Sequence, residues 1–341
     1  MRRWPLVLIG PLVSIVALVL IVRRLDAEHL IDALRDLNAW WLVLIVPVYT
    51  SAHLVRGVRW QLMIYPVKPV RWRVTTSIVL VGLMANNLLP ARLGELVRAF
   101  ALRRSEQLGT AFALTSIVAE RIFDGMALLV IFSITALVTP FPEELAGTLA
   151  GVGWAAAAVF LVAFAVVLLA RLFPRLIERA ARRATRWLPD RLGRRAEPIW
   201  RSGLAALAFL RADRTVLLFA LLTLAIWLIE GGVLWLFTLV FGLDPDPRLA
   251  YFTLVLIGFG VALPSAPGYF GVFEAAVVLA FAAFGIAREM ALSYALVVHA
   301  LHFSVVGIGG LVALKVLGMS FGSLRQISRD AGSRNVTRDG P

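Results

Sequence analysis

Ionisable residues recur at helical spacing inside stretches that are otherwise apolar. Arg92, Glu95 and Arg98 repeat every three residues, so they share a helix face and the glutamate can pair with either arginine. Glu120, Arg121 and Asp124 spread over about 100° of the next long apolar run and can close into one polar cluster. Such a cluster either locks neighbouring helices or lines a cavity, and the lock is the preferred reading. Glu230 stands alone in IWLIEGGVLW, and Glu274 opens another apolar run. Unpaired at a bilayer centre, such groups cost about 2.5–3.5 kcal/mol each, so they must face protein or water. The chemistry open to them is headgroup recognition, ion pairing and proton carriage. Glu95 and Glu274 can equally serve as caps of their first helical turns.

His53, Arg56 and Arg59 make a further polar stripe, for which snorkelling to lipid headgroups is the expectation. His299 and His302 share a helix face without a nearby carboxylate or cysteine and read as core histidines. The chain has no cysteine, which excludes disulfides, thiolate metal sites and cysteine nucleophiles. No catalytic residue, metal or cofactor is expected.

The elements that must position these residues are membrane helices. Of 341 residues, 60% are hydrophobic and 16% charged, with a mean hydropathy of +0.85. Apolar runs at 5–22, 40–64, 74–89, 110–138, 151–172, 215–241, 249–263, 269–286 and 290–317 mostly suffice to cross roughly 30 Å of hydrocarbon. The first follows Arg2 and Arg3 but has no small-residue cleavage site, so it is expected to remain as a helix.

Two of the runs are broken, by LLPARLGE (Leu88 to Glu95) and by LPSAPGYFGVFE (Leu263 to Glu274). Pro and Gly at membrane depth are tolerated where protein or a wet cavity receives the freed backbone groups, and paired breaks of this kind point to a transport pathway. New helices are expected near Ala91 and Tyr269. Their amide-rich ends would make an anion site, with Arg92 available for a bidentate contact. The plainer alternative is a pair of re-entrant packing turns.

The net charge of +13 lies in short connections, where it reports orientation and not nucleic-acid binding. Arginine crowds the 171–214 segment, interleaved with Leu176, Ile177, Trp187, Ile199 and Trp200. The 139–150 connection carries only Glu143 and Glu144. With the basic connections cytoplasmic, each broken run must enter and leave on one side: the first from inside, the second from outside. The fold expected is an all-α polytopic membrane protein. It is an inverted repeat of two halves, each with three transmembrane helices and one Pro/Gly-broken re-entrant hairpin. Residues 1–145 form the first repeat and 146–320 the second, with 171–214 as its basic cytoplasmic loop. Residues 321–341 form a basic cytoplasmic tail expected to be disordered.

In NLLPARLGELVR (Asn87 to Arg98), ERIFD (Glu120 to Asp124) and LPSAPGYFGVFE, the chain resembles the transmembrane region of the lysylphosphatidylglycerol synthase family of flippase-like proteins. The resemblance implies an inner-membrane protein that moves a phospholipid or lipid-linked molecule between leaflets. It implies as functional Asn87, Pro90, Arg92, Gly94, Glu95 and Arg98, then Glu120, Arg121 and Asp124, then Pro264, Pro267, Gly268, Gly271 and Glu274; Glu230 joins them on its position alone. Tyr269 departs from the family's usual Pro-Gly-Gly. Members that aminoacylate lipid carry a large soluble domain after the membrane part, whereas a short tail follows Leu317, so aminoacyl transfer by this chain alone is not expected. The alternatives to transport are a membrane-embedded transferase on a lipid or polyprenyl phosphate and a non-transporting scaffold for a lipid synthase. Expected partners are the lipid substrate, anionic lipids at the basic loop, and either a second copy of the chain or a lipid-modifying enzyme.

Overall fold

The computed structural model describes residues 35, 37–89, 93–141, 143–187, 190–262, 266–320 and 322. The expected helix at 5–22, Pro90, Arg92, Pro264 and nearly all of the 321–341 tail lie outside them. Among the described residues all regular structure is helical: α1 (Leu42–Ile64), α2 (Trp72–Leu88), α3 (Gly94–Glu106), α4 (Thr110–Val138), α5 (Glu143–Leu172), α6 (Pro174–Arg186), α7 (Asp190–Ala205), α8 (Asp213–Val240), α9 (Pro247–Ala262), α10 (Val272–Ala283) and α11 (Arg288–Val316).

Among the described residues, five segments are long and apolar enough to cross a membrane: Ala39–Ile64, Thr110–Val138, Ala146–Leu172, Asp213–Val240 and Arg288–Val316. Their outward faces are apolar as well. On α5, Trp154 is 78% exposed and Val162 66%, which suits a surface solvated by lipid tails and not by water. The molecule is a multi-pass membrane protein.

The broken runs form two hairpins, α2–α3 and α9–α10, with helices of 17, 13, 16 and 12 residues. At about 1.5 Å per residue none of these reaches across roughly 30 Å of hydrocarbon. Small residues let the first hairpin pack closely: a Cβ on Gly94 would stand 2.1 Å from the Gly82 carbonyl, and one on Gly57 would stand 1.9 Å from Thr76 Oγ1.

The basic connections collect at one end of the bundle. Lys68 pairs with Glu106, Arg171 with Asp213, and Gly109 and Thr115 lie against Ser202 and Gly203 of α7. The 171–214 segment is two amphipathic helices, α6 and α7, with exposed Leu176, Trp187 and Ile199 among the arginines. At the opposite end Asn38 N–H donates to the Val240 carbonyl, and Phe141 packs on Phe252 and Phe284. There Asp246 caps α9 by accepting the Arg248 N–H at 2.8 Å, and the Arg248 guanidinium beside it holds the Asp246 carboxyl below the usual carboxylate range.

Hairpin α2–α3 thus has its open end on the basic side and α9–α10 on the other. Both tips reach the middle of α11. Leu80 packs at Gly309, Met84 at Gly310, and Asn87 reaches His302; from the other direction Phe281 packs at Tyr294 and Phe273 at His299. The Pro267–Tyr269 turn of the second tip also rests against α2.

Two apolar clusters fill the interior. One centres on Trp60, Phe112, Phe209 and Phe219, the other on Phe237, Phe252, Phe281 and Tyr294. Along α1 and α11 the polar residues fall between the stretches belonging to each cluster: His53, Arg56 and Arg59 on one, His299 and His302 on the other.

Candidate functional site

The polar residues between the apolar clusters converge from α1, α3, α4 and α8. Arg59 is fully buried. Its Nη1 donates to Asp124 Oδ1 at 2.5 Å and Thr223 Oγ1 at 3.0 Å, and its Nη2 donates to Glu120 Oε1 at 2.7 Å. Glu120 Oε2 takes a second guanidinium, Arg98 Nη2, at 2.9 Å, and Trp227 Nε1 donates to Asp124 at 3.1 Å. Arg56 Nη2 donates to Glu230 Oε1 at 2.6 Å. Each of these guanidiniums also lies over an aromatic ring: Arg56 over Trp227, Arg59 over Phe219 and Arg98 over Trp60. Planar, weakly hydrated forks stacked on rings are the form in which a buried cation is least costly.

The snorkelling expected of Arg56 and Arg59 does not occur. Both point inward, because carboxylates on α4 and α8 offer them charge-assisted bonds that headgroups would otherwise supply. Arg98 pairs with Glu120 and not with Glu95. Glu95 lies 3.9 Å from Arg121, which also stands 3.6 Å from Asp124. Arg121 is therefore the loosely held member of the cluster, with its side chain 46% exposed.

The breaks also differ in detail from expectation. α3 begins at Gly94 and α10 at Val272, each three residues later than expected, because side chains finish the tips. Asn86 Oδ1 accepts the Gly94 N–H at 2.9 Å, and Glu274 Oε2 accepts the Gly271 N–H at 2.6 Å. Those two amides are occupied, so they do not serve an anion. Pro267 and Gly268 sit in the turn of the second tip, where Gly268 has φ of 69° and Tyr269 a φ of 64°, an uncommon conformation for a residue with a side chain.

A cavity of about 190 Å³ connects these parts. Its polar wall includes His53, Arg56, Arg98, Glu120, Arg121 and Glu230; His299, His302 and Tyr269 close another side, and Leu83, Leu234, Leu254, Ile257 and Val261 supply an apolar wall. At about 30 Å³ per water, this is room for a headgroup and not for a whole lipid. Tyr49 Oη and His302 Nδ1 are 2.6 Å apart, and His302 Nε2 is 3.3 Å from Asn87 Oδ1. Both ring nitrogens of His53, Nε of Arg98 and Nδ2 of Asn87 are buried without a hydrogen-bond partner among the described residues.

Of the residues singled out in the sequence, Glu95, Arg98, Glu120, Arg121, Asp124 and Glu230 meet around the cavity and its ion pairs, and Asn87, Gly268, Gly271 and Glu274 meet at its α11 side. Gly94 instead packs the first hairpin. Tyr49, Trp227 and His302 were not singled out as binding residues, although each stands one helical turn from a residue that was noted, His53, Glu230 or His299; their bonds to residues far away in sequence are what spacing does not show.

The described residues thus form an α-helical membrane bundle in which two broken hairpins meet beside a buried polar cavity. The chain belongs to the family described as the lysylphosphatidylglycerol synthase TM region, whose profile matches residues 7–310. It is also similar to a protein of Haloferax volcanii named Glycosyltransferase AglD, at 23% identity over 95% of this chain. The chain spans only 56% of that relative's length.

Proposed function

We propose that this protein is a flippase-like transporter that moves a phospholipid or lipid-linked anionic molecule between leaflets. The observation carrying this reading is the buried cavity with hydrogen-bonding groups left over on its wall: among the described residues, both ring nitrogens of His53 and Nε of Arg98 lack partners, at a cost of about 1–3 kcal/mol for each buried group, which a polar guest would offset. Arg121, loosely paired and half-exposed, is the cation free to engage a phosphate. The apolar wall accepts the start of an acyl chain while the rest stays in lipid. The opposed hairpins support an inverted repeat, in which each half opens toward one face.

In this reading both termini and the basic helices α6 and α7 face the cytoplasm of an inner or plasma membrane, with anionic lipids held against α6 and α7. We assign no enzyme activity to the chain, because Glu120, Asp124 and Glu230 are engaged by arginines instead of being poised as a base.

The test is a leaflet assay in phosphatidylcholine liposomes carrying fluorescently tagged phosphatidylglycerol, phosphatidylethanolamine or polyprenyl phosphate. Wild-type protein should expose inner-leaflet probe to a membrane-impermeant quencher, and Arg121→Gln should slow this by roughly tenfold or more, the worth of one charge-assisted hydrogen bond. No translocation with any probe rejects the proposal. Unaltered translocation in Arg121→Gln rejects the role of that side chain.

The name of the Haloferax volcanii relative keeps one other reading in view, glycosyl transfer. Release of a sugar from a nucleotide- or lipid-linked donor by purified protein would favour it over transport.

A further inference from the structure

The second break is held to α11 by contacts that the arginine cluster does not use. His299 Nε2 lies 2.8 Å from the Gly268 carbonyl oxygen, and Nδ1 lies 2.6 Å from Glu274 Oε1. The other carboxyl oxygen of Glu274 accepts the Gly271 N–H at 2.6 Å. A carbonyl oxygen only accepts, and so does an ionised carboxylate. A neutral imidazole has one N–H to offer. Beside an ionised Glu274 it would press a ring lone pair against an oxygen lone pair, either at 2.6 Å or at 2.8 Å. The contacts close only when the pair holds one more proton, as imidazolium with carboxylate or as imidazole with carboxylic acid.

We infer that His299 and Glu274 form a proton-binding site that clamps the second broken segment to α11, and that loss of the proton to the cavity releases the segment. Glu274 is 1% exposed and His299 3%, and Phe273 stacks on the ring with centroids 4.4 Å apart, yet His299 lines the cavity and has a route to water there. The balance is simple: the proton passes to cavity water, and the pair goes from neutral to a single negative charge. The remaining N–H then serves the ionised carboxylate, the stronger acceptor, so what is freed is Gly268, whose carbonyl loses its donor in a turn with three left-handed residues, Gly268, Tyr269 and Gly271. That the release gates translocation rests on the function proposed above.

Other titratable groups face this pair from the surrounding elements. His302 lies on the same helix, with ring centroids 6.3 Å apart, and is tied to Tyr49 of α1 and Asn87 of α2. His53 and Arg56 of α1, Glu230 of α8, Arg98 of α3, Glu120 and Arg121 of α4, and Tyr269 of the turn line the shared cavity. Glu274 is the only ionisable residue of α10. On α9, Arg248 is engaged by Asp246 at the far end and Tyr251 donates to the Leu228 carbonyl. Tyr294 of α11 donates to the Leu234 carbonyl.

Glu274→Gln tests the site, because an amide can donate to Nδ1 and accept from Gly271 with no proton to lose. In full-length purified protein, hydrogen exchange across residues 266–274 should accelerate with rising pH in the wild type beyond the change seen in Glu274→Gln, by about tenfold or more. Equal pH dependence in the two proteins overturns the inference. Should the variant fail to fold, nitrogen-15 labelling of the wild type decides. The chain has four histidines, and removing the other three singly assigns the His299 signal. A His299 ring protonated on both nitrogens, or protonated on Nε2 with Glu274 as the acid, upholds the site, and a neutral ring beside an ionised Glu274 overturns it. A pH-dependent clamp in protein that translocates no lipid would leave this site standing and reject transport.

Discussion

Arg59 holds Glu120 and Asp124 deep in the protein, so its removal leaves Asp124 without its closest cation and Glu120 with Arg98 alone. Arg59→Met should cost about 3–5 kcal/mol, read as a lower thermal midpoint in detergent, and Arg59→Met combined with Asp124→Asn, which leaves Glu120 paired with Arg98, should recover much of that loss. Arg121→Gln should leave the midpoint nearly unchanged, since a half-exposed, loosely paired arginine contributes at most about 1 kcal/mol. At this scale the Glu120, Arg121 and Asp124 cluster was legible, because its members lie within one turn of a helix. Their main partner was not. Arg59 is 61 residues from Glu120 and 65 from Asp124, and the polar stripe of His53, Arg56 and Arg59 carries no mark of whether it meets lipid headgroups or carboxylates on other helices. That is why inward-facing arginines read as snorkelling ones.

The hairpins depend on residues without side chains at their crossings. Gly94→Ala should disrupt the α2–α3 hairpin, because its methyl would meet the Gly82 backbone carbonyl, and lower folded yield should report it. Tyr269→Gly removes a residue held at φ of 64°, so it should raise stability by about 1–2 kcal/mol while changing which headgroups are moved, since Tyr269 lines the cavity. Pro and Gly announced both breaks in the sequence. Their depth was not announced, nor the start of each following helix, because Asn86 and Glu274 extend the tips by bonds that only the folded backbone brings into reach.

For the molecule as a whole, charge was the readable signal. Short connections rich in arginine gather at one end, as their composition required, while the packing of α7 on α4 through Ser202 and Gly203 carried no advance mark. The chain has no cysteine, so single cysteines report sidedness directly. Ala287→Cys should react with an impermeant thiol reagent in intact cells, and Gln107→Cys only after permeabilisation; the reverse pattern would invert the proposed orientation. α11 meets the first break through His302 and the second through His299, less than one turn apart. It is therefore placed like a camshaft: a few degrees of roll about its own axis would be felt by both lobes simultaneously. Spin labels reporting on each lobe should then change in step, and independent changes would show that the shaft does not turn them together.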